Sequence, residues 1–381
     1  MVFAHAHKQK SATLLRAVAT ALLLVTSSGT AVLGTPAEDA YKHGKELLGK
    51  EDYQGALIAL NRAVSLDPKS AVAYLARGAA HGELMQYQNA INDFSQAIRL
   101  DPKFADAYIN RGIAYRNLEG YQSYKSEGHY KSSPERNQHA IADYNKAISL
   151  KPTCAEYYIY RGDAECFGQE EEARNDYATA ISLDPKNWRA FYNRGRVQET
   201  EKAIHDYTSA IALNPKCVVC YDSRANVYWG LQEFQKAIDD CSKMIEIDPL
   251  RAASYITRGM WLYYAKAPDE TALLKSSAVD DLNKAIELDP KNLDAYLYLG
   301  RVYHVLGEYQ KEADNWTRAI ALSPKEYVYY GQRARAYEKL GKQDLAKKDQ
   351  ARVKALGYRG TGTPDITGTQ TNSFSPDSFR W

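Results

Sequence analysis

Residues 74–102, YLARGAAHGELMQYQNAINDFSQAIRLDP, decide the fold, because their pattern recurs along most of the chain. Apolar residues at positions 90, 91, 94, 97 and 98 have the i, i+3, i+4 spacing of one helical face. Pro102 then ends the helix, because proline lacks an N–H and disfavours a helical residue before it. The stretch therefore predicts two amphipathic helices and a turn that ends in proline.

Eight prolines close stretches of this kind, at successive separations of 34, 50, 33, 30, 34, 41 and 34 residues. They are Pro68, Pro102, Pro152, Pro185, Pro215, Pro249, Pro290 and Pro324. An aromatic residue stands six positions after each proline, and Gly or Ala stands ten positions after it. A single helix pair cannot bury both of its apolar faces, whereas stacked pairs cover one another. The repeat therefore predicts one elongated array instead of separate globular domains.

The pattern resembles the tetratricopeptide repeat (TPR) family in its small residue, its recurring Ala, its second-helix aromatic and its final proline. The second-helix aromatics include Phe94, Tyr144, Tyr177 and Tyr207, and Tyr stands where the family usually has Trp. The resemblance covers residues 37–357, or about nine units. It implies an all-α fold, an α-solenoid that forms a right-handed superhelix of about nine stacked helix-turn-helix units.

The chain departs from the family pattern just before the small residue, where Arg replaces the usual Leu. Seven units have this Arg together with an Asp nine positions before the next proline position, whereas the unit with Leu299 has Asn315. The arginines are Arg77, Arg111, Arg161, Arg194, Arg224, Arg258 and Arg333. The two positions lie at similar distances from the turn of an antiparallel hairpin. We therefore predict an Arg–Asp bridge, bidentate in geometry, within each hairpin.

Three units differ in length from the others. The third unit has about 16 extra residues, near 119–134, and the seventh has about seven. Both insertions are predicted to extend the turn within a hairpin, as a surface loop or as an added binding element. The fifth unit is four residues short, which predicts that its first helix ends after Arg196.

The two ends of the chain differ from the repeat. Residues 1–36 have a basic lead, an apolar run at 17–25 and then small residues, which together predict a signal peptide, with an organelle transit peptide as the alternative. Export to the periplasm or the exterior would follow from the first reading, and organelle import from the second. The run is too short to span a membrane, so no stable span is expected in the mature chain. Residues 358–381, rich in Thr, Gly, Ser and Pro, are predicted to be a disordered tail.

The resemblance also implies a surface for partners, because first helices of the family line a groove that holds peptides or helices. The residues at the family's groove positions are Ile109, Ile159, Tyr192, Ile256 and Leu297, with Arg196, Arg301 and Arg335 on the C-terminal side. They predict protein or peptide ligands with apolar anchors and some acidic character. The 49 Lys+Arg against 47 Asp+Glu, a net charge of +2, argue against a nucleic-acid partner. The sequence leaves the oligomeric state open.

No motif names a reaction, a cofactor or a metal site. Cys217 and Cys220 have a spacing that fits a disulfide, two unrelated packing cysteines or a redox pair. The sequence therefore predicts a non-catalytic scaffold for protein–protein interaction. The alternative is a thiol-redox factor that uses Cys217 and Cys220, and roles with glycans, peptidoglycan or membranes stay open.

Overall fold

The computed structural model describes residues 34–127, 137–166, 168–265 and 271–358, with only the backbone for 121–127 and 271–276. These residues form eighteen α-helices and no strand. Within each of the two parts of the chain defined below, consecutive helices pack as hairpins, and hairpins stack on their neighbours. The predicted all-α helical repeat solenoid is thereby confirmed. The chain divides after Val197 into two compact parts, the N-terminal part and the C-terminal part.

The N-terminal part contains four helix pairs and the first helix of a fifth. Each second helix packs against its own first helix and against the first helix of the next pair. The helices are α1 Pro36–Gly49, α2 Tyr53–Leu66, α3 Ala71–Glu83, α4 Tyr87–Leu100, α5 Ala105–Glu127, α6 Gln138–Leu150, α7 Ala155–Glu165, α8 Glu170–Leu183 and α9 Trp188–Arg196.

The C-terminal part begins with the second helix of the fifth pair and continues with four complete pairs. The same alternation of contacts runs through it. The helices are α10 Thr200–Leu213, α11 Val218–Gly230, α12 Phe234–Ile247, α13 Ala252–Tyr264, α14 Thr271–Leu288, α15 Leu293–Leu306, α16 Tyr309–Leu322, α17 Tyr327–Lys339 and α18 Gln343–Ala355.

The recurring proline and tyrosine act together at the turn between pairs. In the turn after α4, the Asp101 N–H donates to the carbonyl of Ala97, which closes the helix before Pro102. The carbonyl of Pro102 then accepts a hydrogen bond from the Tyr108 hydroxyl, at 3.4 Å. Four other tyrosines bond in the same way to the proline six residues earlier, at 3.0 to 3.2 Å. The turn is thus held by the next helix as well as by its own backbone.

The recurring glycine allows the two helices of a pair to approach closely. A Cβ built on Gly78 would lie 2.6 Å from the Phe94 ring, and one on Gly300 would lie 2.3 Å from the Trp316 ring. Phe94 and Trp316 are almost completely buried. A large ring therefore occupies the space that a side chain at the glycine would need, which explains why the two residue types recur together.

The irregular units confirm one prediction and correct another. Helix α9 ends at Arg196, as the short fifth unit predicts. The two insertions, however, are not confined to turns: α5 continues to Glu127, and α14 begins at Thr271 and has 18 residues. Residues 119–127 contain no proline and several good helix formers, so the helical backbone hydrogen bonds of α5 continue through them. The rest of each insertion, 128–136 and 266–270, lies outside the described residues.

Helix α1 begins at Pro36, and a capping box stabilises its N-terminus. The Glu38 N–H donates to Thr35 Oγ1 at 3.3 Å, and the Thr35 N–H donates to Glu38 Oε2 at 3.0 Å. The predicted leader boundary at residue 36 falls within this capped turn, and residues 1–33 and 359–381 lie outside the described residues. Among the helices of residues 34–358 that the structure describes, none combines the length and hydrophobicity of a membrane span.

Candidate functional site

Six Arg–Asp bridges connect the two helices of their pairs, as predicted. In each, the Arg Nε donates to one carboxylate oxygen and Nη2 donates to the other, at 2.6 to 2.9 Å. The pairs are Arg77–Asp93, Arg111–Asp143, Arg161–Asp176, Arg224–Asp240, Arg258–Asp281 and Arg333–Asp349. Arg194 and Asp206 lie in different parts, so their bridge stays a prediction.

Each of these six arginines also contacts the preceding helix pair, which the sequence reasoning missed. The Arg77 Nη1 donates to Asn61 Oδ1 at 3.1 Å, and the Arg224 Nη1 donates to Thr208 Oγ1 at 2.9 Å. The other four bond to Ser95, Asn145, Ser242 and Thr317. One guanidinium therefore connects three helices: the two of its own pair and the second helix of the pair before.

The unit of Leu299, which lacks the arginine, uses a different contact. Asn315 is buried, and its Nδ2 donates to the Tyr296 carbonyl at 2.7 Å. Leu299, on the first helix of the same pair, is buried as well. An aspartate at position 315 would have no guanidinium partner there, so the loss of Arg and the loss of Asp go together.

The four aliphatic residues predicted to anchor a ligand are buried. Ile109 and Ile159 are 2% and 1% exposed, and Ile256 and Leu297 are 7% and 8% exposed. Each belongs to a core cluster formed by neighbouring helices. They pack consecutive helices together and present almost no surface to a ligand, so the structure corrects their assignment as surface anchors.

Tyr192, Arg196, Arg301 and Arg335 are partly exposed. Arg301 on α15 has a defined environment, because its Nη1 donates to the Tyr264 hydroxyl at 2.6 Å and its guanidinium lies 5.6 Å from the Tyr298 ring centroid. This pairing holds a cation at the surface and keeps it oriented. Whether any of these four residues binds a ligand stays a prediction.

An aromatic surface surrounds Arg301 in the C-terminal part. We call Trp229, Tyr263, Tyr264 and Arg301 the aromatic patch; they come from α11, α13 and α15. Trp229 stacks on buried Trp261, with centroids 5.4 Å apart and planes 10° apart. Tyr264 meets Trp229 edge to face at 6.2 Å and is 40% exposed. Trp229 and Tyr263 share one offset from the preceding proline, but no Phe, Trp or Tyr stands at that offset in the other units, so the periodicity of the repeat did not predict this patch.

Cys217 and Cys220 form a disulfide, with sulfurs 1.99 Å apart and Cα atoms 5.3 Å apart. Both residues are buried at the start of α11. Cys154, Cys166 and Cys241 are free thiols, and burial raises the pKa of Cys166 to about 11. Within residues 34–358, as far as the structure describes them, no three His, Cys, Asp or Glu side chains form a metal site.

Comparison with known proteins identifies the repeat. A TPR repeat family model matches residues 86–118 and 276–307. Each match runs from a second helix into the first helix of the next pair, α4 to α5 and α14 to α15. No curated protein matches the chain.

Several solved structures are similar to it. A TPR protein from Parabacteroides merdae is 18% identical, with a TM-score of 0.48, covering 71% of this chain and 99% of its own. A thermophilic TPR protein from Thermus thermophilus is 17% identical, with a TM-score of 0.42 and coverage of 51% and 99%. YrrB, described as a TPR protein with an unusual peptide-binding site, is 21% identical, with a TM-score of 0.37 and coverage of 53% and 95%. The repeat-model matches over residues 86–118 and 276–307, together with the recurring residues of the helix pairs, show that this chain contains tetratricopeptide repeats.

Proposed function

We propose that the chain is a non-catalytic scaffold that holds a segment of a partner protein on the surface of its first helices. TPR proteins bind protein or peptide partners. The observation that carries the proposal is the aromatic patch, where Tyr264 and Arg301 lie together at the surface.

The composition of the patch suits an interface. Trp, Tyr and Arg dominate the residues that contribute most to protein–protein binding energy, because they bury large surfaces and retain a polar tip. Arg301 is held over Tyr298 and bonded to Tyr264, so little side-chain entropy is lost when a ligand binds. We therefore expect an extended or helical segment with an apolar anchor on Trp229 and Tyr264 and an acidic group near Arg301.

The disulfide has a structural role in this proposal. Thiol–disulfide exchange requires a sulfur that an attacking thiolate can reach, whereas Cys217 and Cys220 are 4% and 0% exposed. Replacement of both cysteines by Ser should leave partner binding intact. Loss of binding in a variant that retains its helical content would favour the thiol-redox alternative.

We also propose that the chain is exported. The leader-like residues 1–36 support this, and a disulfide is typical of an oxidising compartment. Expression of the full chain in a bacterial host, followed by mass spectrometry of the periplasmic and cytosolic fractions, tests it. A cytosolic product that retains its first 33 residues would contradict export.

Affinity capture of the chain, with identification of bound proteins by mass spectrometry, tests the scaffold function. The affinity of a captured partner is then measured for the double variant Tyr264→Ala, Arg301→Glu. We expect at least about tenfold weaker binding, because an anchor and a charge are both lost. The control is Arg318→Glu, which makes the same charge change at an exposed position of α16.

Equal affinity for the double variant and the control would contradict the assignment of the patch. Binding by the wild type should weaken only modestly between low and physiological salt, because few charges contribute. A steep salt dependence would instead indicate an extended electrostatic interface.

A further inference from the structure

The chain leaves its last helix beside the first helices of the C-terminal part. Tyr358 follows α18, and the centroid of its ring lies 5.4 Å from that of Tyr327. Tyr327 is the first residue of α17, which is the next first helix after α15. The residues that follow Tyr358 therefore begin close to the helices that carry the aromatic patch.

The aromatic patch is within reach of these residues. Helices α15 and α17 both pack against α16, so their axes are at most about 20 Å apart. Arg301 lies eight residues after Leu293, the start of α15, which is a rise of about 12 Å. The separation of Tyr358 from Arg301 is therefore about 20–30 Å. Asp377 follows Tyr358 by 19 residues, and a flexible linker of that length has an end-to-end distance of about 22–26 Å.

Residues 374–381, FSPDSFRW, lie outside the described residues, but their sequence suits the aromatic patch. Alternate residues of an extended chain point to the same side and lie about 7 Å apart. In that conformation Asp377, Phe379 and Trp381 share one side, and Arg380 is on the other. One side of the segment then presents a carboxylate followed by two aromatic rings.

The aromatic patch offers matching contacts. Arg301 gives one N–H to the Tyr264 hydroxyl, at 2.6 Å, and a guanidinium has five N–H groups, so others can bond to the carboxylate of Asp377. The Tyr264 ring, 40% exposed, lies 6.2 Å from the Trp229 ring, centroid to centroid. This spacing is close to that of alternate residues in an extended chain. An acid placed at Arg301 therefore brings the following ring of the segment onto Tyr264 and Trp229.

We propose that residues 374–381 of this chain occupy the aromatic patch and must leave it before a partner segment binds. The proposal rests on the scaffold function proposed above and adds its regulation, by an autoinhibitory contact. Because segment and patch belong to one chain, the local concentration of the segment is on the order of 1 mM. With a Kd of about 0.5 mM for one ion pair and its packed rings, the segment fills about two-thirds of the patches and weakens partner binding about threefold.

Photo-crosslinking in the full chain tests the contact. The photoreactive residue p-benzoylphenylalanine replaces Phe379 and keeps an aromatic ring at that position. Irradiation at submicromolar protein, followed by digestion and mass spectrometry, identifies the cross-linked peptides. We expect cross-links to the peptides of α11, α13 and α15 that contain the aromatic patch, with a yield that does not depend on protein concentration.

Variants show whether the contact is specific. A tenfold weaker contact would lower the filled fraction, and hence the cross-link yield, about fourfold, and we expect at least this for Arg301→Glu. The control Arg318→Glu makes the same charge change at an exposed position of α16 and should leave the yield unchanged. Asp377→Lys should also lower the yield, and it serves if Arg301→Glu loses helical content by circular dichroism. Asp377→Lys combined with Arg301→Glu should restore part of the yield, because the reversed charges attract again.

Three results would overturn the contact: patch peptides cross-linked no more often than other peptides, a yield unchanged in both Arg301→Glu and Asp377→Lys, or a yield that rises with protein concentration. The last would indicate contact between two copies.

The regulation is measured separately, as the affinity of a captured partner. Asp377→Lys should strengthen partner binding about threefold, and an unchanged affinity would reject the regulation. In the double variant Tyr264→Ala, Arg301→Glu, release of the segment offsets at most about threefold of the loss. Cross-links at the patch without any captured partner would retain the contact and reject the scaffold.

Discussion

Replacement of Arg224 by Leu should destabilise the C-terminal part more than replacement of Arg224 and Asp240 together. The unit with Leu299 and Asn315 supplies the template, because it shows which residues the fold accepts when the bridge is absent. The three variants are therefore Arg224→Leu, Asp240→Asn and the double change.

The contacts of Arg224 set the expected losses in the free energy of unfolding. Arg224 makes two bonds to Asp240, at 2.9 and 2.6 Å, and one to Thr208 at 2.9 Å. Arg224→Leu leaves the Asp240 carboxylate, 4% exposed, without its cation. Loss of one partner of a buried pair costs about 3–5 kcal/mol, and we expect about 2–3 kcal/mol here because Arg224 is partly exposed. The double variant should lose about 1–2 kcal/mol, which is less than the loss in Arg224→Leu alone, so the effects of the two single changes are not additive.

The effect should depend on pH. Burial already raises the pKa of Asp240, and Arg224 opposes that rise. Without Arg224 the folded pKa of Asp240 rises further above its unfolded value. Since the folded state then holds the proton more tightly, the stability of Arg224→Leu falls as the pH rises through the folded pKa. Destabilisation should therefore be larger at pH 8 than at pH 4.5.

Hydrogen exchange of the α11 and α12 peptides, read by mass spectrometry, measures these energies locally, because a long repeat array need not unfold in one step. The seven other complete helix pairs serve as internal references in the same experiment. Additive losses in the double variant would refute the reasoning, since they would mean that Arg224 and Asp240 act independently.

Three further changes test other contacts. Glu165→Gln should raise the melting temperature at pH 8 and not at pH 4: burial raises the pKa of Glu165 to about 7, so the wild type loses stability as the pH rises through that value. Gly300→Ala should cost about 1–3 kcal/mol in urea unfolding, because the new methyl would lie 2.3 Å from the Trp316 ring, whereas Gly230→Ala, with nothing within 4 Å, should cost nothing. Thr35→Ala should increase exchange in α1 by an amount equivalent to about 1 kcal/mol, since it removes the side chain that caps the helix.

The sequence was most informative within one helix pair. Arg77 and Asp93 occupy fixed positions relative to the proline, so the period of the repeat was enough to predict their contact. The bond from Arg77 to Asn61 was missed because its counterparts are Ser, Thr or Asn, and no single letter recurs. A search for any side-chain oxygen 16 residues before the arginine would have found it.

The sequence was least informative about surfaces. Ile109 was assigned to the ligand surface from the family's pattern, whereas burial depends on the size of the residues on neighbouring helices. The aromatic patch was missed for a related reason. Trp229 stands at a position where the repeat sets no preference, so that only the stacking of helices brings it beside Trp261.

The arginine that reaches back to the preceding pair gives the array a polarity. Arg77 donates to Asn61 in the pair before it, and the other five arginines of the six observed bridges reach back in the same way. Because the ribosome synthesises the earlier pair first, the acceptor on that pair is already present when the arginine of the next pair emerges. Deletion of pairs from the C-terminus should consequently leave the bonds between the remaining pairs intact. Deletion from the N-terminus removes the acceptor of the next arginine and leaves its Nη1 without that hydrogen bond.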